Sequence, residues 1–360
     1  LLALSHLVPE VGIVGQLFLH EVDLVLELLL RQHFFRAPEK LPQDRAHAMT
    51  VANTLSVRKL SIEFGGVRAV DDVSFDVHPV ETFAIIGPNG AGKTTCMRML
   101  SGFLRPDRGS VRLGGYNPWE EPLALRRSLG YLPEHAPVYR GSSVIAYLRF
   151  IASARGLGKR AYNTVDDICE RLTLNPIAHQ TVSTLSKGSM RRVALAAAIM
   201  HRPPVLLLDE PTDGLDPIQK QQVRRLIQDL GKTSAILMST HQIDDVLALC
   251  SRTMIMGGGR KLLDKSTEEL LHQSKYHNAV SFVARESIAA RAALEGLSGV
   301  SGFEQNAADG RLYVFVQGSK PQNQIIAERL AQKSVPYLDL RLEVGRLDEV
   351  FAKTVAEARP

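Results

Sequence analysis

The chain has 360 residues, 45% of them hydrophobic and 22% charged, with 43 basic and 38 acidic side chains for a formal net charge of +5. That composition excludes a wholly disordered chain, and the length suffices for two domains with a sizeable core. The positive surplus suits a nucleic-acid surface and the anionic face of a membrane equally well, so charge alone selects neither.

Residues 11–30 form an apolar run, but His20, Glu21, Asp23 and Glu27 interrupt it. Each would be costly at mid-bilayer, so no transmembrane span is expected there. A basic start, apolar core and small-residue cleavage site do not succeed one another as a secretory signal requires. Residues 1–48 share no pattern with the rest of the chain, the first residue is Leu1, and Met49 stands just before a strand-like run. This stretch is expected to be upstream sequence read as protein, or a poorly ordered extension. Cys96, Cys169 and Cys250 show neither zinc-site spacing nor an even count for a disulfide framework, which points to a reducing compartment.

From Thr54 to about residue 265, strand-like runs (SVRKLSIEF, SFDVHPV, TFAIIG, PVLLLDE, SAILMST, RTMIMGG) alternate with helical ones (KTTCMRMLSGFL, IQKQQVRRLIQDL, QIDDVLALC). The alternation predicts an α/β domain. AIIG, VLLLD and AILMS are apolar throughout, as expected of central parallel strands buried on both faces. Between about residues 118 and 186 the pattern is mainly helical (ALRRSLG, SSVIAYLRFIASARGL, VDDICERL), predicting an inserted helical subdomain. Residues 266–360 read as strand, helix, strand, strand, helix, strand, the order of a split βαβ unit, so a small α+β domain is expected. A last amphipathic helix, Leu347 to Ala358, would lay Val350, Phe351 and Val355 against this unit or against a partner.

Gly87-Pro88-Asn89-Gly90-Ala91-Gly92-Lys93-Thr94-Thr95 fits the phosphate-loop pattern G-x-x-x-x-G-K-[ST], between an apolar strand and a helix. Such a loop turns backbone N–H groups towards phosphate oxygens, and the helix N-terminus adds partial positive charge. Lys93 would reach the β- and γ-phosphates, and Thr94 would offer its hydroxyl to magnesium. Downstream, the apolar strand Val205 to Leu208 ends in Asp209 and Glu210. Asp209 would hold magnesium, and Glu210 would position or deprotonate the water that attacks the γ-phosphate.

Between them lies Leu185-Ser186-Lys187-Gly188-Ser189, followed by the helical run VALAAAIM. Here the sequence resembles the ABC ATPase family, whose signature LSGGQ appears as LSKGS, keeping Ser186 and Gly188. The resemblance spans about residues 56 to 261. It continues in Phe64, where an aromatic stacks on adenine, in Gly214-Leu215-Asp216-Pro217 as the D-loop, and in Ser239-Thr240-His241 as the switch histidine. Each segment has an ordinary structural reading as well: core, turn, or capped helix start. The resemblance implies a P-loop NTPase core, ATP and Mg2+ as cofactors, and a site shared head to tail between two chains. Ser186 and Gly188 of one chain would then contact the nucleotide of the other.

Where the family usually has Gln in the loop that leads to the helical subdomain, this chain has Glu134, a carboxylate that can ligate magnesium but adds negative charge. Glu134-His135-Ala136-Pro137-Val138-Tyr139 and Leu347-Asp348-Glu349-Val350-Phe351 carry a narrower resemblance to the ATP-binding subunits of ABC-2 type exporters. It implies a separately encoded transmembrane permease bound through residues 134–147, a second ATPase subunit (a homodimer), and a peripheral place on the cytoplasmic side of the cell membrane. The rival readings are a soluble ABC ATPase acting on ribosomes or nucleic acid, and a non-catalytic module. Against the first, one set of motifs is present, with 92 residues from Lys93 to Leu185, and nucleic acid is not expected as a partner. Against the second, Lys93 and Glu210 are both present.

Overall fold

The computed structural model describes residues 54–358 except 136, 137, 140 and 318–321. The reading of residues 1–48 therefore lies outside the described residues. Strand β1 (Leu55–Phe64) turns through Gly65 and Gly66, both at positive φ, into β2 (Val67–Val77), with Phe64 opposite Val67. Two successive left-handed residues match the twist of a tight hairpin, and glycine supplies them without a Cβ clash. Strand β4 (Arg108–Leu113) pairs on the other edge of β1, giving a three-stranded sheet in the order β2-β1-β4.

The main sheet contains β3 (Thr82–Ile86), β5 (Leu129–Leu132), β6 (Val205–Asp209), β7 (Ala235–Thr240), β8 (Arg252–Gly257) and β9 (Arg260–Ser266). Their order is β5-β6-β7-β3-β8-β9; the first five run parallel and β9 returns antiparallel. The continuous apolar runs divide by the two-residue period of the strands. Ala84, Ile86, Leu206, Leu208, Ile236 and Met238 join the core beneath the helices. Phe83, Ile85, Val205, Leu207, Ala235 and Leu237 face the other way, sharing a core with the three-stranded sheet and with α1 (Lys93–Leu100).

Helices α2 (Pro122–Ser128), α3 (Val144–Ala154) and α4 (Ala161–Arg171) lie in the region 118–186 read as helical, and α5 (Lys187–Ile199) follows it. ALRRSLG is not helical to its end: it passes into β5 at Leu129, which pairs with Val205. A four-residue edge strand carries too short a pattern to show in the sequence, and pairing with β6 creates it. Strands β4 and β9, both rich in charge, are also not legible in the sequence. They are edge strands with few buried side chains, where charge is tolerated. Helices α6 (Pro217–Gly231), α7 (Ile243–Leu249) and α8 (Thr267–His272) complete this part.

The C-terminal unit has β10 (Val280–Ala284), α9 (Ser287–Leu294), β11 (Val300–Gln305), β12 (Leu312–Val316), α10 (Asn323–Gln332) and β13 (Tyr337–Leu342). The sheet order β11-β12-β10-β13, antiparallel throughout, places β12 between β10 and β11, the split βαβ arrangement read from the sequence. Helix α11 (Leu347–Glu357) does not stay with this unit. Leu347 and Val350 are buried in the core of the larger α/β domain with Val246, Cys250, Ile255 and Leu270, and Phe351 and Val355 pack against it.

Candidate nucleotide site

Strands β3, β5, β6 and β7 run parallel, so the segments after them, beginning at Gly87, Pro133, Glu210 and His241, emerge at one edge of the sheet. Ligands of open α/β sheets bind at that edge. There a cleft of about 470 Å3 is lined by Gly87, Pro88, Asn89, Glu134, Glu210, Asp213, His241, Ile243 and Phe351, among others.

Two glycines of the phosphate loop are fixed by close approach. A Cβ on Gly87 would lie 2.5 Å from the Met256 carbonyl oxygen. Gly92 has φ +99° and its Cβ would lie 2.4 Å from the Ala69 carbonyl oxygen. The loop is thus seated against β8 and β2 by positions only glycine can fill. Helix α1 starts at Lys93 with no side-chain cap, leaving first-turn N–H groups for an anion. Lys93 is 8% exposed, and its Nζ donates to the carbonyls of Gly87 at 2.7 Å and Pro88 at 3.2 Å. Burial holds the ammonium below the usual lysine range, against the opposing pull of the Glu210, Asp209 and Glu134 carboxylates.

Thr94 donates through Oγ1 to Oε2 of Glu134 at 3.4 Å, so the loop residue read from its position in the sequence reaches the phosphate-loop helix. Asp209 is 1% exposed, and Oδ1 accepts from the Ser239 hydroxyl while Oδ2 is buried without a hydrogen-bond partner. Burial pushes its carboxyl above the usual range; the Ser239 bond opposes this and the Glu134 charge adds to it. An unpaired buried carboxylate oxygen beside a second acid and a hydroxyl fits a hard divalent cation. No three His, Cys, Asp or Glu side chains gather into a metal cage among the described residues.

Glu210 leaves β6 at φ +52°, a left-handed conformation that costs a non-glycine residue on the order of 1–2 kcal/mol. Its N–H donates to the Ser239 carbonyl at 2.9 Å, and its carboxylate Oε2 lies 2.9 Å from Nδ1 of His241. The residues after β6 and β7 therefore meet in the cleft.

Of the residues singled out in the sequence, Gly87, Pro88, Asn89, Glu134, Glu210 and His241 line this cleft. Gly90, Ala91, Gly92, Lys93, Thr94, Thr95 and Asp209 belong to the phosphate loop, α1 and β6 but not to the lining, and Phe64, Ser186, Gly188 and Asp216 also lie outside it. Phe64 is half exposed at the end of β1. Ser186 caps α5, its Oγ accepting from the Ser189 N–H at 3.1 Å, and Asp216 caps α6 through the Gln219 N–H at 2.8 Å. Gly188 is buried; its Cβ would lie 3.0 Å from the Gly214 carbonyl oxygen, and Lys187 pairs with Asp213 at 2.7 Å. The signature segment and the D-loop thus form one surface. Two residues escape sequence reasoning. Arg191 donates to backbone carbonyls around the cleft, and Asp245 binds Thr212 and Arg224 at zero exposure. Paired arginines within an alanine-rich helix, and an acid on the buried face of α7, are the available signals.

The family model described as ABC transporter matches residues 70–213. The uncharacterized ABC transporter ATP-binding protein YxlF of Bacillus subtilis (strain 168) is 35% identical over 222 residues, 61% of this chain and 74% of that protein. The Nod factor export ATP-binding protein I of Cupriavidus pinatubonensis (strain JMP 134 / LMG 1197) is 30% identical over 317 residues, 87% of this chain and 94% of that protein. Among solved structures, that of an ATP-binding subunit of an ABC transporter matches with a TM-score of 0.58 at 29% identity, covering 61% of this chain and 92% of its own.

Proposed function

The chain belongs to the family of ABC transporter ATP-binding proteins, and from that premise we propose that it hydrolyses ATP in this cleft as the ATPase subunit of an ABC-2 type exporter. The observation that carries the chemistry is the meeting of Glu210 with His241 beside the phosphate loop. Lys93 and the amides of the Gly87–Thr95 segment bind the β- and γ-phosphates. Glu210 accepts a proton from water as the water oxygen bonds to the γ-phosphorus and the bond to ADP breaks. His241 holds the Glu210 carboxylate in place and responds to loss of the γ-phosphate. Thr94, Asp209 and Glu134 would hold magnesium, which supplies charge neutralisation on the phosphates when bound.

The chain carries one set of motifs, and Ser186 and Gly188 sit on the surface shared with Gly214 and not against the phosphate loop, so a second copy is proposed to complete each site with its signature segment. The export reading rests on the Nod factor export relative, whose match covers 87% of this chain. No helix among the described residues is long and apolar enough to cross a membrane, so translocation would need a separate permease, docked around residues 134–147 on the cytoplasmic face.

Purified full-length chain should release phosphate from ATP with Mg2+, the neighbouring reading frames should include a membrane protein of several apolar helices, and the rate should rise on reconstitution with that protein. Absence of ATP binding would refute the site. Hydrolysis with no association with that membrane protein would refute the exporter assignment alone.

A further inference from the structure

Arg191 lies on α5, five residues beyond the signature Ser186, and it is only 4% exposed. Nη1 donates to the carbonyl oxygens of Pro133 at 2.7 Å and Glu134 at 2.6 Å. Nη2 donates to those of Asp209 and, at 2.6 Å, of Glu210. One planar group therefore grips two separate backbone segments, one with each terminal nitrogen. These segments carry Glu134 on one, and on the other Glu210, which lines the cleft with Glu134, and the buried Asp209 before it.

No carboxylate forms an ion pair with Arg191 among the described residues, although the charges of Asp209, Asp213, Glu210 and Glu134 act on it from further away. Burying a guanidinium without a paired carboxylate is costly, and the four carbonyl bonds offset that cost. What the guanidinium adds is geometry. Its rigid fork sets the distance between the Glu134 loop and the end of β6, and it braces the left-handed Glu210 peptide through the Glu210 carbonyl.

We propose that Arg191 is a positioning residue for the acids of the nucleotide site, fixing Glu134 against Asp209 and Glu210 and making that spacing depend on where the signature helix stands. The inference rests on the reading of this cleft as a magnesium–ATP site. Displacement of the signature end of α5 acts on these carbonyls directly, because the same helix carries Ser186 at its cap and Arg191 just over one turn further on. Lysine cannot substitute, since its single nitrogen cannot span both segments.

The test uses the full-length chain and the substitution Arg191→Lys. Loss of an outer-shell tie of this kind costs about tenfold to a hundredfold in metal affinity or activity, so kcat should fall and the Mg2+ concentration for half-maximal hydrolysis should rise by about tenfold or more. ATP binding in EDTA should stay within about twofold of wild type, because Lys93 and the phosphate loop are untouched. Wild-type kcat and Mg2+ dependence in Arg191→Lys would overturn the proposal, as would a parallel fall in metal-free ATP binding, which marks a general defect of the fold. Hydrogen exchange gives a second reading. The segments that Arg191 grips beyond the β5–β6 ladder, residues 133–135 and 210–213, should both lose protection in Arg191→Lys while residues 129–132 and 205–208 keep theirs. Unchanged protection of both segments in the variant would overturn the clamp. Failure of the wild-type chain to bind ATP would instead refute the site reading and leave the exchange result standing.

Discussion

His241 and Glu210 come directly after adjacent parallel strands, and they meet with Nδ1 2.9 Å from Oε2. The carboxylate is 12% exposed and its Oε2 accepts no hydrogen bond, which leaves that oxygen free to take a proton from water in the cleft. Glu210→Gln keeps the shape and removes the basicity. ATP affinity should stay within about threefold while turnover falls about 10²- to 10⁴-fold, the range a general base contributes. Phosphate release and nucleotide binding measured on the same preparation check this, and size exclusion with ATP should show a trapped dimer. Turnover near wild type would remove Glu210 from the role of base.

Lys93 closes the phosphate loop on the carbonyls of Gly87 and Pro88 as well as supplying charge. In Lys93→Met both functions go. A charge-assisted hydrogen bond is worth about 1.5–3 kcal/mol, so ATP affinity without metal should weaken about tenfold to a hundredfold. Titration with a fluorescent ATP analogue in EDTA measures it. Unchanged affinity would assign phosphate binding to the loop amides and the α1 N-terminus alone.

The parts of the site that are legible in the sequence are those whose chemistry is local. The phosphate loop, Asp209 with Glu210, and the segment ending in His241 each declare themselves within a few residues. Glu134 is placed by its position in the family pattern, but its approach to Thr94 and its upward push on the Asp209 carboxyl arise only when β5 pairs with β6. Arg191 reads locally as a polar residue in a helix. Its four carbonyl partners come from segments 18 to 58 residues away, and no periodicity encodes them. Helix α11 is recognisable as amphipathic, yet the sequence does not favour the ATPase core over the unit before it, because an apolar stripe does not specify its partner.

Asp245 on α7 accepts from the Thr212 hydroxyl and from Nε of Arg224, the latter at 2.6 Å, and it is fully buried. These bonds fasten the helix after His241 to the loop after Glu210 and to α6. Breaking a buried pair on one side costs about 3–5 kcal/mol, so Asp245→Ala should lower urea stability by that order. The double substitution Asp245→Leu with Arg224→Met should recover much of the loss, since matched apolar groups often replace a buried ion pair. Its turnover should stay depressed, because the Thr212 bond and the placement of His241 are not restored. Full recovery of both stability and rate would make the pair purely structural.

His201, beyond the end of α5, has its pKa pushed down to about 4. Burial is the main cause, the Arg155 charge adds to it, and the contact with the Leu129 carbonyl at 3.1 Å opposes it. The neutral ring donates from Nε2, while Nδ1 is buried without a partner to accept or share a proton. Between the folded value and an unfolded value of about 6.5, the unfolded chain binds more protons, so stability rises with pH across that window. The contribution is fully present above about pH 6.5, shrinks as pH falls, and is gone below about pH 4. At pH 5 it amounts to a loss of about 2 kcal/mol relative to pH 7.5. His201→Gln keeps a donor for the Leu129 carbonyl and cannot titrate. Urea unfolding, followed through the single tryptophan, Trp119, should therefore show wild type losing about 2 kcal/mol more than the variant between pH 7.5 and pH 5. Carboxylates that titrate in the same range cancel in that comparison, so equal losses in the two proteins would mean that the His201 ring is protonated in the folded chain.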